Sequence, residues 1–386
     1  MMAIYHRQEL AQRMAQQLLS PGILDEGLRS GLFISGLRRT GKTTFLIADL
    51  VPALEEKGAI VIYVDLWSDT LTSPSALLHQ AIGEKLAELE TPASGILERL
   101  TKINGLDLGG FGFKFGFKLQ DLGREGGVTL AQALREVVDK AKTDLVLIVD
   151  EVQQATASDD GHNMMLALKA ARDSINPRPG TAGHLIFIGT GSHRAQLSEM
   201  TAKRNQAFAG ATSISYPVLD EGYVNFLMGL YGAEVDAQRL PSGEVAMQAF
   251  RALGNRPEEL KRALGQVVRQ GGDPNIVMPI VAQTLRSTVA DGEILKVEKL
   301  GSLAVEIFGR IAGSDTPVSR LFSVEAAGDY TKAIGRDVRV EEIQPVINAL
   351  LTENLIMRVG HGSYTLSDPY VGEMWKENLA LLGRAK

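Results

Sequence analysis

Cysteine is absent from all 386 residues. That excludes disulfides, a thiol nucleophile and any thiolate metal site. Histidine is scarce. His6, His79, His162, His184, His193 and His361 never fall in an HxxxH or HExxH spacing, so nothing points to a zinc enzyme. No apolar run approaches the ~20 residues that a membrane span needs. The opening stretch MMAIYHRQELAQRM has no apolar core of the ~7–15 residues found in a signal peptide. A soluble, cytoplasmic protein is expected. Neither sign of charge dominates: 40 Lys and Arg against 46 Asp and Glu leave −6. That balance excludes a broadly basic nucleic-acid coat, although a local basic patch remains open.

The composition that is present, 45% hydrophobic and 22% charged, is that of a folded chain rather than a disordered one. At ~150 residues per domain, two or three domains are expected. Four short apolar runs, Leu32–Ser35, 59–65, Leu145–Asp150 and 185–189, look like buried strands of a parallel sheet, and 213–216 is a weaker fifth. Helical patterns separate them at about 43–57, 74–90, 129–142 and 161–175. This is an α/β core of βαβ units with helices on both faces. After Pro217 the strands stop. Segments 221–231, 242–253, 257–269 and 276–290 suggest a small all-helical domain. From about 296, three helices (300–311, 323–334, 340–354) are followed by strand, turn and strand (355–359, 361–362, 363–366), the layout of a winged helix. The expected domains are 1–218, 219–294 and 295–386.

One stretch stands apart. In Asn104–Leu122, Phe111, Phe113, Phe115, Phe117 and Leu119 alternate with glycine and lysine after a Gly109–Gly110 turn. A period of two predicts a hairpin inserted in the core. It either covers a sheet edge or offers a phenylalanine face to a partner.

Gly36-Leu37-Arg38-Arg39-Thr40-Gly41-Lys42-Thr43 matches GxxxxGK(S/T), with a strand before it and a helix after it. The spacing has a physical reason. The glycines let the backbone wrap so that successive N–H groups point inward at phosphates. The helix N-terminus adds free donors and a favourable dipole. Lys42 reaches the β- and γ-phosphates, and Thr43 gives a hydroxyl to Mg²⁺. Thr44 extends the nucleotide-contacting stretch. The second half is Leu145-Val146-Leu147-Ile148-Val149-Asp150-Glu151, an apolar strand with an acid pair at its C-terminal end. Ligands bind at that end of an open α/β sheet. Asp150 is expected to hold Mg²⁺ through its water shell, and Glu151 to orient and deprotonate a water. The strand at 59–65 intervenes, so the phosphate-loop and acidic strands are expected to be non-adjacent. That is the additional-strand, catalytic-glutamate arrangement of P-loop NTPases. No NKxD occurs, which favours ATP/ADP over guanine nucleotides. After 185–189 come Thr190 and Ser192. If the strand stops at Gly189, Thr190 is the better placed to meet the γ-phosphate or the water. The alternative is that these hydroxyls cap the next helix. His193 is expected at the surface.

GLRRTGKT, the DEVQ at Asp150–Gln153 and IYHRQEL at Ile4–Leu10 together resemble the AAA+-related ATPases of the STAND and MNS groups, relatives of origin-recognition-type initiators. The resemblance implies that Tyr5, His6 and Arg7 line the adenine pocket. Gly254-Asn255-Arg256-Pro257 resembles the sensor-2 region of the helical lid. It makes Arg256 the lid arginine on the γ-phosphate, in a register that differs from the usual Gly-Asn-Pro. Arg204, before the fifth strand, stands where such proteins carry an arginine that reaches a neighbouring subunit, with Arg194 as its rival. For Arg204 and Arg256 a plain surface arginine is the alternative. The implied activity is Mg²⁺-dependent ATP hydrolysis between core and lid, driving a conformational switch or assembly with a protein partner or with further copies of the chain.

Two other functions stay open: an ATP-gated DNA-binding initiator or transposition-type regulator, and a non-hydrolysing nucleotide-gated interaction module. The C-terminal charge disfavours DNA. Residues 298–386 hold ten Lys/Arg against twelve Asp/Glu. The helix that would enter a major groove, 340–354, carries Glu341, Glu342 and Glu353 and no Lys or Arg, whereas DNA affinity comes mostly from neutralised phosphates. Gln344, Asn348, Lys332, Arg336, Arg339, Arg358 and His361 are what keep the DNA alternative open.

Overall fold

The computed structural model describes residues 3–69, 71–91, 95, 97, 99–100, 113–116, 126–192, 194–202, 206–360 and 362–381. The chain divides into two compact units, Met1–Pro217 and Val218–Lys386.

The first unit is built on a five-stranded parallel sheet: β1 (Leu32–Ser35), β2 (Ile60–Asp65), β3 (Leu145–Asp150), β4 (Leu185–Gly191) and β5 (Thr212–Ser215), in the spatial order β2-β3-β4-β1-β5. Side-chain alternation divides its core in two. Leu145, Leu147 and Val149 face one apolar cluster with Phe33 and Phe187. Val146 and Ile148 face the other with Ile34 and Ile186. Helices α4 (Pro74–Glu90), α5 (Leu130–Ala141) and α6 (Asp159–Ile175) supply the first cluster, together with α7 (Arg194–Ala202). Helix α1 (Gln8–Leu19) supplies the second, together with the helix that follows the phosphate loop. A strand apolar at every position needs this double cover. At about 1.5–3 kcal/mol per buried aliphatic side chain, it is what holds the sheet together. Local caps start the helices: Ser73 Oγ accepts the Ala76 N–H at 3.3 Å, Thr129 and Gln132 form a capping box on α5, and Ser158 Oγ accepts the Gly161 N–H at 3.1 Å.

Strand adjacency follows the expectation by a different route. β1 and β3 are non-adjacent, but the strand between them is β4, which pairs with both. β2 lies outside β3, at the sheet edge. The crossovers carry the chain from β1 out to the edge at β2 and then back inward through β3 and β4. A strand that intervenes in sequence therefore does not intervene in space.

The hairpin expected over 104–122 falls mostly outside the described residues. Of the part that is described, Phe113 is buried and stacks on Phe115, and its N–H bonds to Leu89 O at 3.0 Å.

The second unit begins with α8 (Glu221–Gly232), α9 (Gly243–Ala252), α10 (Pro257–Gln270) and α11 (Pro274–Lys299). Helix α11 is longer than the 276–290 expected from its pattern, and it runs straight through the expected boundary at 294/295. Its last turns pack Ala290, Ile294 and Val297 into the core of the C-terminal part. Then follow α12 (Ser302–Ala312), β6 (Val318–Ser319), α13 (Val324–Ile334), α14 (Val340–Thr352), β7 (Ile356–Gly360), β8 (Ser363–Leu366) and α15 (Pro369–Leu381). The strands form an antiparallel sheet in the order β6-β8-β7. This is the element order of a winged helix with a helix added after it. The two-residue β6 is too short to show a period in sequence, and α15 has no counterpart in the sequence reading. His361 lies outside the described residues. Among those that are described, no helix is long and apolar enough to cross a membrane.

Candidate nucleotide site

β1 delivers the chain to Gly36, whose N–H bonds to Gly191 O at 3.1 Å. A Cβ on Gly36 would lie 2.9 Å from Tyr216 Cβ, so the position has no room for a side chain. Gly41 takes φ +86°, the left-handed conformation that glycine adopts without strain. Between them, Thr40 Oγ1 donates to Leu37 O at 2.8 Å and closes the loop. Leu37, Arg38, Arg39, Thr43 and Thr44 are exposed around it. A helical run follows: α2 (Lys42–Phe45), a π-helical turn (Leu46–Leu50) and α3 (Val51–Glu56). A curled loop on a helix N-terminus is a place for an anion.

Lys42 is buried, with Nζ 3.7 Å from Glu151 Oε1. Burial pulls its pKa below the usual lysine value, and the Glu151 and Asp150 charges only partly offset that. Asp150 is 1% exposed. Its Oδ2 accepts from Thr43 Oγ1 at 2.7 Å and from Tyr63 Oη at 3.1 Å. Its Oδ1 accepts from the Glu151 N–H at 3.0 Å and from the Thr190 hydroxyl. Four donors hold this carboxylate in one orientation. Burial, and then the Asp150 charge, push the Tyr63 pKa up, so the phenol keeps the hydrogen it donates. Asp65 stands level with Asp150 on the neighbouring strand. Burial raises its pKa, against the Trp67 N–H, which lowers it. Glu151 adopts φ +52°, which costs a non-glycine residue about 1 kcal/mol or more. Its carboxylate meets Lys42, the Gln153 amide and Ser192 Oγ, the last at 3.2 Å. The Arg38 guanidinium lies 4.2 Å from the Trp67 ring, and its Nε reaches Ser192 Oγ at 3.3 Å.

Thus the structure gathers Gly36–Thr44 with Asp150, Glu151 and Thr190. Strand β4 runs on to Gly191 rather than stopping at Gly189. Thr190 is therefore fully buried against Asp150, and Ser192, not Thr190, reaches Glu151. The N-terminal stretch also comes to the phosphate-loop helix. His6 Nδ1 lies 2.7 Å from Asp49 Oδ1, and the Arg7 N–H donates to Asp49 Oδ2 at 3.1 Å. The Arg7 guanidinium donates to Pro217 O at 2.5 Å and lies 5.5 Å from the Tyr216 ring. Tyr216 Oη in turn meets Gly41 O at 3.4 Å. Tyr5 is half-buried.

Arg204 and His193 lie outside the described residues, as does the side chain of Arg194. Arg256 belongs to the second unit, where its Nη2 pairs with Asp368 Oδ2 at 2.9 Å. The preceding Gly254 and Asn255 both take positive φ, +71° and +54°.

Tyr63 and Asp49 escaped the sequence reading, and Gln153 entered it only within the DEVQ motif, with no role of its own. The first two carried a signal: a phenol in an apolar strand, and an acid on the apolar face of a helix, each need a buried partner. Tyr63→Phe is expected to lower nucleotide turnover about 3–10-fold, with a stability loss of about 1 kcal/mol. Steady-state kinetics and urea melts check this, and unchanged turnover would confine Tyr63 to packing.

Residues 26–197 match the family profile described as an AAA domain. No curated protein matches the sequence significantly. Among solved structures, a Walker-type ATPase of Pyrococcus abyssi is similar at TM-score 0.59 and 18% identity, over 96% of each chain. The ORC2 protein of Aeropyrum pernix in its ADP form is similar at TM-score 0.55 and 14% identity, over 99% of this chain and 96% of that one. Its complexes with ADPNP and ADP give 0.50 and 14%, over 98% and 94%. Residues 26–197, which hold the phosphate loop and the acid pair, thus match an AAA domain, and the fold of the chain is similar to that of a Walker-type ATPase and of an ORC2 protein.

Proposed function

We propose that the protein binds and hydrolyses ATP and uses the cycle as a conformational switch or assembly step for a protein partner or for its own copies. The observation that carries this reading is the meeting of Lys42, Thr43, Asp150 and Glu151 at the mouth of the phosphate loop. The exposed loop and helix N-terminus take the phosphates, and Lys42 adds the cationic charge. A Mg²⁺ ion fits the donors present: a threonine hydroxyl and a buried carboxylate in mutual contact are hard oxygen ligands. Among the described residues no cluster of three acids or histidines forms a closed metal cage, as suits an ion held mainly by phosphate and water. Thr43 and Asp150 would hold it, and it would supply positive charge to the phosphate oxygens. Glu151 takes the proton of the attacking water. In the conformation described here its carboxylate is occupied by Lys42, Gln153 and Ser192, so turnover requires those contacts to loosen. Arg256 serves the γ-phosphate only after it leaves Asp368. The solved relatives of like fold include one named a Walker-type ATPase and one seen with ADP and ADPNP.

The winged helix favours a protein partner over DNA. Several polar groups of α14 and of the residues just before it are already engaged: Gln344 Nε2 donates to Asn348 Oδ1 at 2.9 Å, Arg336 pairs with Glu342 at 2.9 Å, and Glu342 also caps the Arg339 N–H. Such a surface has little charge left for phosphates.

ATP turnover by wild type and Arg256→Ala, with and without duplex DNA, at two salt and several protein concentrations, tests the reading. Turnover that ignores DNA, rises with protein concentration and falls in the variant is expected. DNA-stimulated, salt-sensitive turnover would replace the switch with an ATP-gated initiator. Tight binding without turnover would leave a nucleotide-gated interaction module.

A further inference from the structure

Asp49 has no role in the phosphate chemistry, yet it is the best-buried carboxylate on the phosphate-loop helix, with its side chain 2% exposed. A buried carboxylate persists only when it is paired or hydrogen-bonded. Both of its bonds go to the N-terminal stretch, 42 and 43 residues away in sequence: His6 Nδ1 at 2.7 Å and the Arg7 N–H at 3.1 Å. It sits on the π-helical turn Leu46–Leu50. That turn adds a residue to the helical repeat and re-aims the side chains that follow. The same stretch is tied a second time, through the Arg7 guanidinium to Pro217 O and over the Tyr216 ring, whose hydroxyl touches Gly41 O. Asp49 is thus one of two ties that hold residues 6–7 beside the phosphate loop, and it is the one that reaches His6. A carboxylate only accepts, so His6 Nδ1 carries the hydrogen in this pair. In the neutral ring, Nε2 is then an acceptor, and half of the side chain is open to solvent.

We propose that Asp49 is the positioning residue for base recognition. It holds the stretch 5–7 beside the phosphate loop and sets the His6 tautomer, so that the ring offers an acceptor suited to the exocyclic amine of adenine, where guanine presents a carbonyl oxygen. The proposal rests on the reading that this site takes an adenine nucleotide. Asp49 acts through His6 and Arg7 and touches no phosphate.

The test is equilibrium binding of ATP, GTP and inorganic tripolyphosphate to the full chain and to Asp49→Ala, His6→Ala and the double variant. Asp49→Ala is expected to weaken ATP about tenfold and to bring the ATP:GTP preference close to one, with tripolyphosphate within about twofold of wild type. His6→Ala should lower the same preference, and the double variant should do no more than Asp49→Ala alone. Should Asp49→Ala fold poorly, as a thermal melt would reveal, the half-exposed His6→Ala carries the test by itself. An equal loss of ATP and tripolyphosphate would make Asp49 a support of the phosphate loop and overturn the proposal, as would an unchanged ATP:GTP ratio. A wild type that binds tripolyphosphate as tightly as ATP would overturn the adenine reading together with the proposal. A wild type with a clear ATP preference that survives in both variants would sink the proposal alone.

Discussion

Replacing Glu151 by glutamine is expected to cut ATP turnover by about 10²–10⁴-fold, the usual worth of a general base. ATP affinity should stay within about threefold of wild type. The amide keeps the shape of the carboxylate and its reach to Ser192 Oγ, so the site need not rearrange. What disappears is the ability to take a proton. A second consequence is electrostatic. Lys42 loses the charge 3.7 Å away that partly compensates its burial, and its ammonium is freed for phosphate. Affinity should therefore not fall, and it should rise slightly if the ion pair competes with nucleotide. Phosphate release under single-turnover conditions, beside equilibrium binding of a fluorescent ATP, separates the two quantities. Turnover retained in Glu151→Gln would remove Glu151 from the proton transfer.

Lys42→Ala is expected to weaken ATP at least about 100-fold, which is about 2.7 kcal/mol. The loss should come without a loss of fold. Burial lowers the Lys42 pKa despite two neighbouring carboxylates, so the folded protein pays for this ammonium rather than gaining from it. The sign follows by linkage. Below the folded pKa the ammonium is buried at full cost. Between the folded pKa and the ordinary lysine value of 10.5 the unfolded chain binds more protons, so stability rises with pH across that window. Nucleotide affinity runs the other way and falls as pH climbs through the folded Lys42 pKa, because the ammonium is the form that meets phosphate. Lys42→Met, which fills the same volume, should melt no lower than wild type. Isothermal titration with ATP across the alkaline range, beside thermal melts, checks both signs. A Lys42→Met protein that binds ATP normally, or an affinity flat with pH, would take the lysine out of the site.

The phosphate loop and the acidic strand were legible because each is a local device. Glycine at 36 and 41, Lys42 and Thr43 act through backbone geometry within eight consecutive residues, and an acid at the end of an apolar strand states its own position at the sheet edge. Strand limits were legible for the same reason: Leu32–Ile34 and Leu145–Val149 are unbroken apolar runs, closed by Ser35 and Asp150. Strand β4 was harder. Its last residues, Thr190 and Gly191, are polar or small: Thr190 donates to Asp150, and Gly191 lies so close to Gln153 that a side chain has no room there, neighbours that sequence does not announce. Helix α11 was cut short because its pattern weakens where its last turns change neighbours.

By itself the sequence determined the α/β class, the place of the phosphate loop and its acid pair, the run of helices after Pro217 and the absence of thiol chemistry. Local periodicity, glycine conformation and residue chemistry suffice for these, since each depends on residues within a turn or a strand of one another. Only the tertiary structure decided which strand separates β1 from β3, which hydroxyl meets which acid, that Tyr63 braces Asp150, that Asp49 ties the N-terminal stretch to the phosphate-loop helix, and that Arg256 rests on Asp368. Those partners lie 40 to 112 residues apart. Contacts across such distances are set by sheet order and crossover handedness, and a chain read one segment at a time carries no record of either.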